Sequence, residues 1–337
     1  MTRLSDQAVA RLRDVVAWPE LPPERYEVRR LLGRGGMGAV YAAFDRRLGR
    51  EVAVKVSNAP SAAGDLEARL RQESRVLARL EHPGIVPVHD AGELDDGRWY
   101  YVMKLVRGQT LGEHVPSLRG EAPVLSVFDR AAETVAFAHA AGIVHRDLKP
   151  SNIMMGSFGE VLVLDWGVAK ILGTPPPGEV PTDVAGPTPG DGTASGTRIG
   201  TPGFMAPEQQ RGDASTAGPA ADVYSLGALL YWMFTGRPAP PTADEATLGL
   251  AALPDAPSRR LRAIVRKCLA ESPADRYPDA GALVQDLARY RAGLAVRAHR
   301  ESPLERAGRI VDRYRAFILL ILAYLLMRAL FAWSQRL

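Results

Sequence analysis

The stretch Ile143-Val144-His145-Arg146-Asp147-Leu148-Lys149-Pro150-Ser151-Asn152-Ile153-Met154 decides how this chain is read. It holds a carboxylate at Asp147, an ammonium two residues on at Lys149 and an amide five residues on at Asn152. Such a set can accept a proton, neutralise a phosphate and offer an oxygen to a hard cation. Thirteen residues after Asn152, the apolar run Val161–Leu164 ends in Asp165-Trp166-Gly167, where Asp165 offers a second oxygen ligand. Oxygen donors of this kind suit magnesium with nucleotide phosphates, not zinc.

Upstream, Gly33-Arg34-Gly35-Gly36-Met37-Gly38-Ala39-Val40 fits G-x-G-x-x-G-x-V. The same glycine spacing occurs in dinucleotide folds, where a strand precedes and a helix follows. Here a β-type run follows instead, so the glycines are expected in a hairpin that can close its backbone over phosphates. Val52-Ala53-Val54-Lys55 comes next, with Lys55 seventeen residues after Gly38 and able to reach beneath the hairpin. A phosphate-holding lysine needs an anion to orient it. Glu73, one turn before Leu77 on a helical stretch, can face the sheet, although a solvated helix charge is the commoner fate of such a residue.

The pattern along the chain changes once. Runs at Tyr26–Leu32, Ala39–Phe44, Glu51–Val56, Ile85–His89 and Trp99–Lys104 read as strands, with one helix at Asp65–Leu80. After Gly108 the chain is largely helical, at Val124–Ala141, Ala221–Thr235, Arg259–Ala270 and Gly281–Arg291. Residues 1–24 suggest a short amphipathic helix ended by Trp18-Pro19, and Leu172–Thr201 is a long Gly/Pro/Thr/Ser loop of the functional or disordered kind.

Taken together, Gly33–Val40, Lys55, Glu73, His-Arg-Asp at 145–147, Asp-Trp-Gly at 165–167 and Ala-Pro-Glu at 206–208 resemble the bacterial eukaryotic-like serine/threonine protein kinases. The resemblance runs from about Tyr26 to Tyr290. It implies an α+β bilobal fold: an N-lobe over about 26–105 and a helical C-lobe over 106–291, after an extension at 1–25. It also implies roles residue by residue. Gly33, Gly35 and Gly38 cover the phosphates of ATP, Lys55 holds them and Glu73 positions Lys55. Asp147 orients and deprotonates the substrate hydroxyl, Lys149 steadies the γ-phosphate, and Asn152 and Asp165 bind Mg²⁺. Val40 and Ala53 roof the adenine, Met154 floors it, and Met103, Leu105 and Val106 belong to the hinge. Arg146 grips a phosphate on the loop, for which Thr193, Ser195 and Thr197 are candidates, while Thr201 is structural. Asp222 and an Arg276–Glu208 pair are large-lobe anchors. The expected activity is transfer of the γ-phosphoryl group to Ser/Thr hydroxyls of proteins, with autophosphorylation of the loop, in bacterial signalling. The alternative is a weak pseudokinase serving as a membrane scaffold. Three departures stand out: Trp166 in place of Phe, Lys104 in the hinge where an acid is common, and a short stretch from Pro238 to Ser258 that puts the usual substrate-docking helix in doubt.

The 337 residues are 46% apolar and 24% charged, which excludes wholesale disorder. The net charge of +4 is spread without a basic block, so no nucleic-acid partner is expected. A single cysteine, Cys268, excludes internal disulfides and a thiolate zinc cluster. No secretory signal opens the chain. A basic linker is expected at 292–315, then a candidate transmembrane helix at Ala316–Trp333, eighteen residues interrupted by Arg328. At ~1.5 Å per residue it just reaches across a hydrocarbon core. On insertion scales its strongly apolar side chains contribute roughly −3 to −6 kcal/mol against about +3 for the arginine. The expected location is therefore the cytoplasmic face of the cell membrane, held by one C-terminal span in contact with lipid. The alternative is a cytoplasmic protein whose last helix packs on the kinase or on a second copy in a homodimer.

Overall fold

The computed structural model describes residues 18–35, 38–58, 65–115, 118, 120–166, 170–171, 203–211 and 218–334. The first lobe is a five-stranded antiparallel sheet formed by β1 (Tyr26–Arg34), β2 (Gly38–Asp45), β3 (Arg50–Ser57), β4 (Val88–Glu93) and β5 (Trp99–Lys104), in the order β1-β2-β3-β5-β4. One helix, α1 (Asp65–Arg79), lies between β3 and β4 in the chain. Strand residues alternate between faces, and both faces are used. Ala39, Tyr41, Val52, Val54, Val56, Tyr100 and Val102 form one core with Leu21 from the preceding segment. The other face carries Val40, Lys55, Ala53, Tyr101 and Met103, which pair across strands as Val40 with Lys55, Lys55 with Tyr101 and Ala53 with Met103. Opposed residues of an antiparallel pair share a face, so register alone brings these five together.

Ile85 and Val86 lie before the observed strand β4, contrary to the reading of Ile85–His89 as strand. Both are buried, and Ile85 makes only an isolated bridge to Val163. Pro87 has no N–H to give a ladder, and pairing starts at Val88.

The second lobe contains β6 (Gly108–Thr110), α2 (Leu111–His114), α3 (Glu121–Ala140), β7 (Ile143–Val144), β8 (Ile153–Gly156), β9 (Val161–Val163), β10 (Lys170–Ile171), α4 (Pro207–Gln210), α5 (Pro219–Thr235), α6 (Ala243–Ala251), α7 (Arg259–Cys268) and α8 (Ala280–Arg291). Helix α5 is buried on nearly every side from Ala221 to Tyr231, as an all-round apolar helix must be. Around it pack α3, α7 and α8. Helix α6 occupies the stretch where the sequence left a docking helix in doubt. Thr242 caps it, accepting a hydrogen bond from the Glu245 N–H. The two small ladders β6-β8-β9 and β10-β7 carry the segments on either side of Asp147.

After α8 the chain does not leave the lobe at once. Val296 is buried, and the N–H groups of Arg297 and Ala298 donate to Asp286 Oδ1 and Oδ2 at 2.6 and 3.0 Å. Helix α9 (Pro303–Ser334) follows. Among the described residues, no helix is long and apolar enough to cross a membrane, so the span expected at Ala316–Trp333 is not found. Arg328 interrupts the apolar run, and the side chains at 316, 318, 331 and 332 lie outside the described residues.

Candidate active site

Lys55 reaches from β3 to α1, where its Nζ donates to both carboxylate oxygens of Glu73 at 2.8 and 2.7 Å. It also lies 3.2 Å from Asp165 Oδ1. Burial by itself would lower the Lys55 pKa, but the charges of Glu73 and Asp165 outweigh it and hold the ammonium above its ordinary value. Burial pushes Glu73 up, with Lys55 pulling the other way. Asp165 ends below the carboxylate range: Lys55 overcomes the cost of burial. Tyr101 lies beneath this group, 6.0 Å from Lys55 Nζ at its ring centroid. Burial first, then Glu73, pushes its hydroxyl well up, so the O–H remains a donor to the Glu73 carboxylate.

Asp147 faces the cleft from the loop after β7. Lys149 Nζ donates to its Oδ2 at 2.6 Å, and Asn152 Nδ2 donates to its main-chain oxygen at 2.8 Å and to Oδ2 at 3.2 Å. The Asn152 amide nitrogen is thus occupied, and its oxygen has no hydrogen-bond donor among the described residues. Two backbone strains mark the place. Arg146 and Asp165 are the only described non-glycine residues with positive φ, at 72° and 60°. Such conformations persist only where surroundings enforce them, and for Arg146 the enforcing group is visible. Asp222 Oδ2 and Oδ1 accept from the N–H groups of His145 and Arg146, both at 2.7 Å. His139 is tied between two lobes of this network: its Nδ1 accepts from the Ala280 N–H at 3.1 Å, so its Nε2–H donates to Asp222 Oδ2 at 2.9 Å. Although burial works to raise Asp222, the His139 hydrogen bond leads the groups that hold it below its ordinary value.

Trp166 is fully buried and tilts against His145 with ring centroids 4.6 Å apart. Its indole N–H donates to the Val163 carbonyl at 3.2 Å, so the polar atom that Phe lacks has a partner. Glu208 and Arg276 form a bidentate pair at 2.7 and 2.8 Å.

The glycine hairpin divides into two kinds of position. A Cβ at Gly38 would lie 2.3 Å from the Val56 carbonyl oxygen, so packing against β3 demands glycine there. A Cβ at Gly33 would meet nothing within 4 Å. Glycine at that position leaves space above the sheet, as a bound phosphate chain needs. Met103 is the last residue but one of β5, with Leu105 and Val106 half-buried just beyond the strand, and Met154 is half-buried on β8. Thr193, Ser195, Thr197 and Thr201 lie outside the described residues, as do Gly36, Met37 and Gly167. Among the described residues, no three His, Cys, Asp or Glu side chains gather as a metal site. Asp165 and Asn152 are hard oxygen donors, of the kind that would suit a magnesium ion taking its other oxygens from phosphate and water.

The profile of the protein kinase domain matches residues 26–286. The chain belongs to the protein kinase family. It is 38% identical over 290 residues to the serine/threonine-protein kinase PknA of Mycobacterium tuberculosis, a match covering 80% of this chain and 62% of that protein. With PknB of Mycolicibacterium smegmatis it shares 37% identity, over 82% of this chain and 44% of the relative. The chain thus spans less than two thirds of the length of these relatives. The crystal structure of the Mycobacterium tuberculosis PknI kinase domain superposes with a TM-score of 0.56 at 28% identity, covering 80% of this chain and 96% of that one.

Sequence reasoning missed Tyr101, His139 and Gln209. Each acts on a partner distant in sequence; Tyr101 and His139 sit in no recognisable string, and Gln209 closes the Pro-Glu-Gln string after Ala206 without its partner being readable from it.

Proposed function

We propose that this kinase transfers the γ-phosphoryl group of ATP, with Mg²⁺, to Ser/Thr hydroxyls of proteins. The convergence of Lys55, Glu73 and Asp165 in one ionic group beside Asp147, Lys149 and Asn152 carries the reading. Bound Mg-ATP supplies the transferable group and the cation that offsets its charge. Gly33, Gly35 and Gly38 leave room for the phosphates, and Lys55 directs its ammonium at them. Val40, Ala53 and Met154 enclose the base, with Met103 and Leu105 along its edge. Asn152 and Asp165 hold the cation. Asp147 would orient the attacking hydroxyl and take its proton as the new O–P bond forms and the bond from the γ-phosphorus to the β-phosphate oxygen breaks, with ADP as the leaving group, while Lys149 would stabilise the charge on the moving group. Purified full-length protein should incorporate labelled phosphate into a generic protein substrate on Ser and Thr. No incorporation under saturating Mg-ATP would leave the pseudokinase alternative.

Control by phosphate at Thr193, Ser195 or Thr197, gripped by Arg146, belongs to the same proposal. Mapping the sites on autophosphorylated protein tests it. We also propose that α9 attaches the kinase to a membrane at its cytoplasmic face. The support is the apolar sequence Ala316–Trp333 together with the exposure of its described side chains, from 53% at Leu325 to 71% at Trp333. Tyr324 shares this exposure, and a water-facing helix of such composition is costly. The full chain should pellet with membranes through a carbonate wash. Recovery in the soluble fraction would favour a helix covered by protein.

A further inference from the structure

The side-chain amide of Gln209 has two ends with different partners. Its Oε1 accepts from the Ala206 N–H at 3.2 Å, which caps the four-residue helix α4. Capping needs only an oxygen, and it leaves the nitrogen unexplained. That Nε2 donates to the Arg146 carbonyl at 2.9 Å, across 63 residues of sequence. Arg146 is held at φ 72°, a region that side chains with a Cβ disfavour. Its N–H is taken by Asp222 Oδ1 at 2.7 Å. The strained residue is therefore clamped on both sides, by Asp222 at its N–H and by Gln209 at its carbonyl. That carbonyl belongs to the peptide unit leading into Asp147, so its orientation sets where the Asp147 carboxylate points.

The clamp has a stiff base. Glu208, the neighbour of Gln209, is locked to Arg276, whose other N–H groups donate to the carbonyls of Ala270, Ala220 and Glu271. We propose that Gln209 is a positioning residue for Asp147, coupling the segment at 203–211 to the loop at 145–152 through its Nε2 donor. The inference rests on the kinase reading above.

Two substitutions in the full-length protein test it. Gln209→Met keeps the length but removes both hydrogen bonds, and Gln209→Glu keeps the capping oxygen while turning a carboxylate toward the Arg146 carbonyl. In Gln209→Met, kcat should fall about five- to tenfold, the scale of one hydrogen bond. KM for ATP should stay within about twofold, since the hydrogen bonds of Gln209 go to Ala206 and Arg146 and not to the proposed nucleotide-binding residues. For Gln209→Glu, kcat relative to the parent should rise as pH falls and the acid regains an O–H donor. Backbone hydrogen exchange should quicken in peptides covering 143–152 in both variants, with α5 unchanged. Unchanged exchange in 143–152 would overturn the proposal, as would a kcat loss matched by an equal rise in KM for ATP. An inactive parent would refute the kinase reading, and the exchange result would still decide whether Gln209 holds this loop.

Discussion

Lys55–Glu73 in the small lobe and Arg276–Glu208 in the large lobe are both shielded ion pairs, and they are completed differently. Arg276 spends every donor: two on Glu208 and the rest on backbone carbonyls. Nothing is left over for a ligand, and the planar guanidinium fixes the geometry of both partners. Lys55 is a single ammonium between two carboxylates, Glu73 and Asp165. That group carries an excess negative charge, and Asp165 is open to the cleft. A saturated pair holds a fold together, whereas an unsaturated one waits for a cation and a phosphate. Taking one partner from each pair should therefore damage different properties.

The largest effect should come from Lys55→Met and from Asp147→Asn. Either should lower turnover by about 10²–10⁴-fold. Lys55→Met should also change how stability depends on pH. Burial already holds the Glu73 folded pKa above its unfolded value, and without the ammonium only the Tyr101 hydrogen bond still pulls it down, so it rises further. Its favourable contribution is present below the unfolded value and lost as pH rises through the folded one. The variant should thus lose more stability than the parent in denaturant titrations as pH rises above the ordinary Glu value of about 4.3. A parallel pH profile would show that Lys55 does not govern Glu73.

Glu208→Ala should act on the fold. It leaves Arg276 buried and uncompensated, which costs about 3–5 kcal/mol. Chemical unfolding should show the loss at neutral pH. Arg276→Lys should not rescue it, because an ammonium cannot serve the same carbonyls. If Glu208→Ala unfolds like the parent, the distinction between the two pairs fails.

Asp222 combines the two designs, as a buried carboxylate saturated by protein donors that supports the reacting loop. Its folded pKa lies below its unfolded value. Its stabilisation is present above the ordinary Asp range near 3.9 and disappears as pH falls through the lowered folded value. Asp222→Asn should cost about 1.5–3 kcal/mol at pH 7, and the gap to the parent should close in acid. A constant difference down to pH 2 would mean that the charge contributes nothing.

The same contrast explains what could be read from the sequence. The saturated and unsaturated groups both rest on short strings, His145–Asn152, Asp165–Gly167 and Ala206–Glu208, whose residues are neighbours in the chain. Lys55 and Glu73 were legible because strand and helix periodicity sets which face each uses. Tyr101, His139 and Gln209 were not, because their partners are chosen by how strands and helices pack, and a tyrosine, histidine or glutamine in isolation carries no signal. Strand β4 was misplaced for a related reason: its sequence Val88–Glu93 is polar, while the apolar Ile85 and Val86 just before it fill the core. Helix α6 lay in a stretch too short and too weakly patterned to announce itself.

The smallest effect should come from Trp166→Phe, and it bears on whether this site is open for catalysis or closed. Trp166 fills a fully buried position against His145 and donates to the Val163 carbonyl. Phenylalanine would give up that hydrogen bond and part of the volume, costing about 1–2 kcal/mol by the usual scale of a buried donor and a small cavity. Melting should fall by a few degrees. Turnover should stay within about threefold, because Asp165 is held by Lys55 and Asp147 by its own loop, and Trp166 contributes a packed wall to neither contact. A tryptophan that locked the enzyme shut would behave in the opposite way: its removal would release activity. A tenfold gain in phosphate transfer by Trp166→Phe would therefore show that the indole restrains the site it packs beneath.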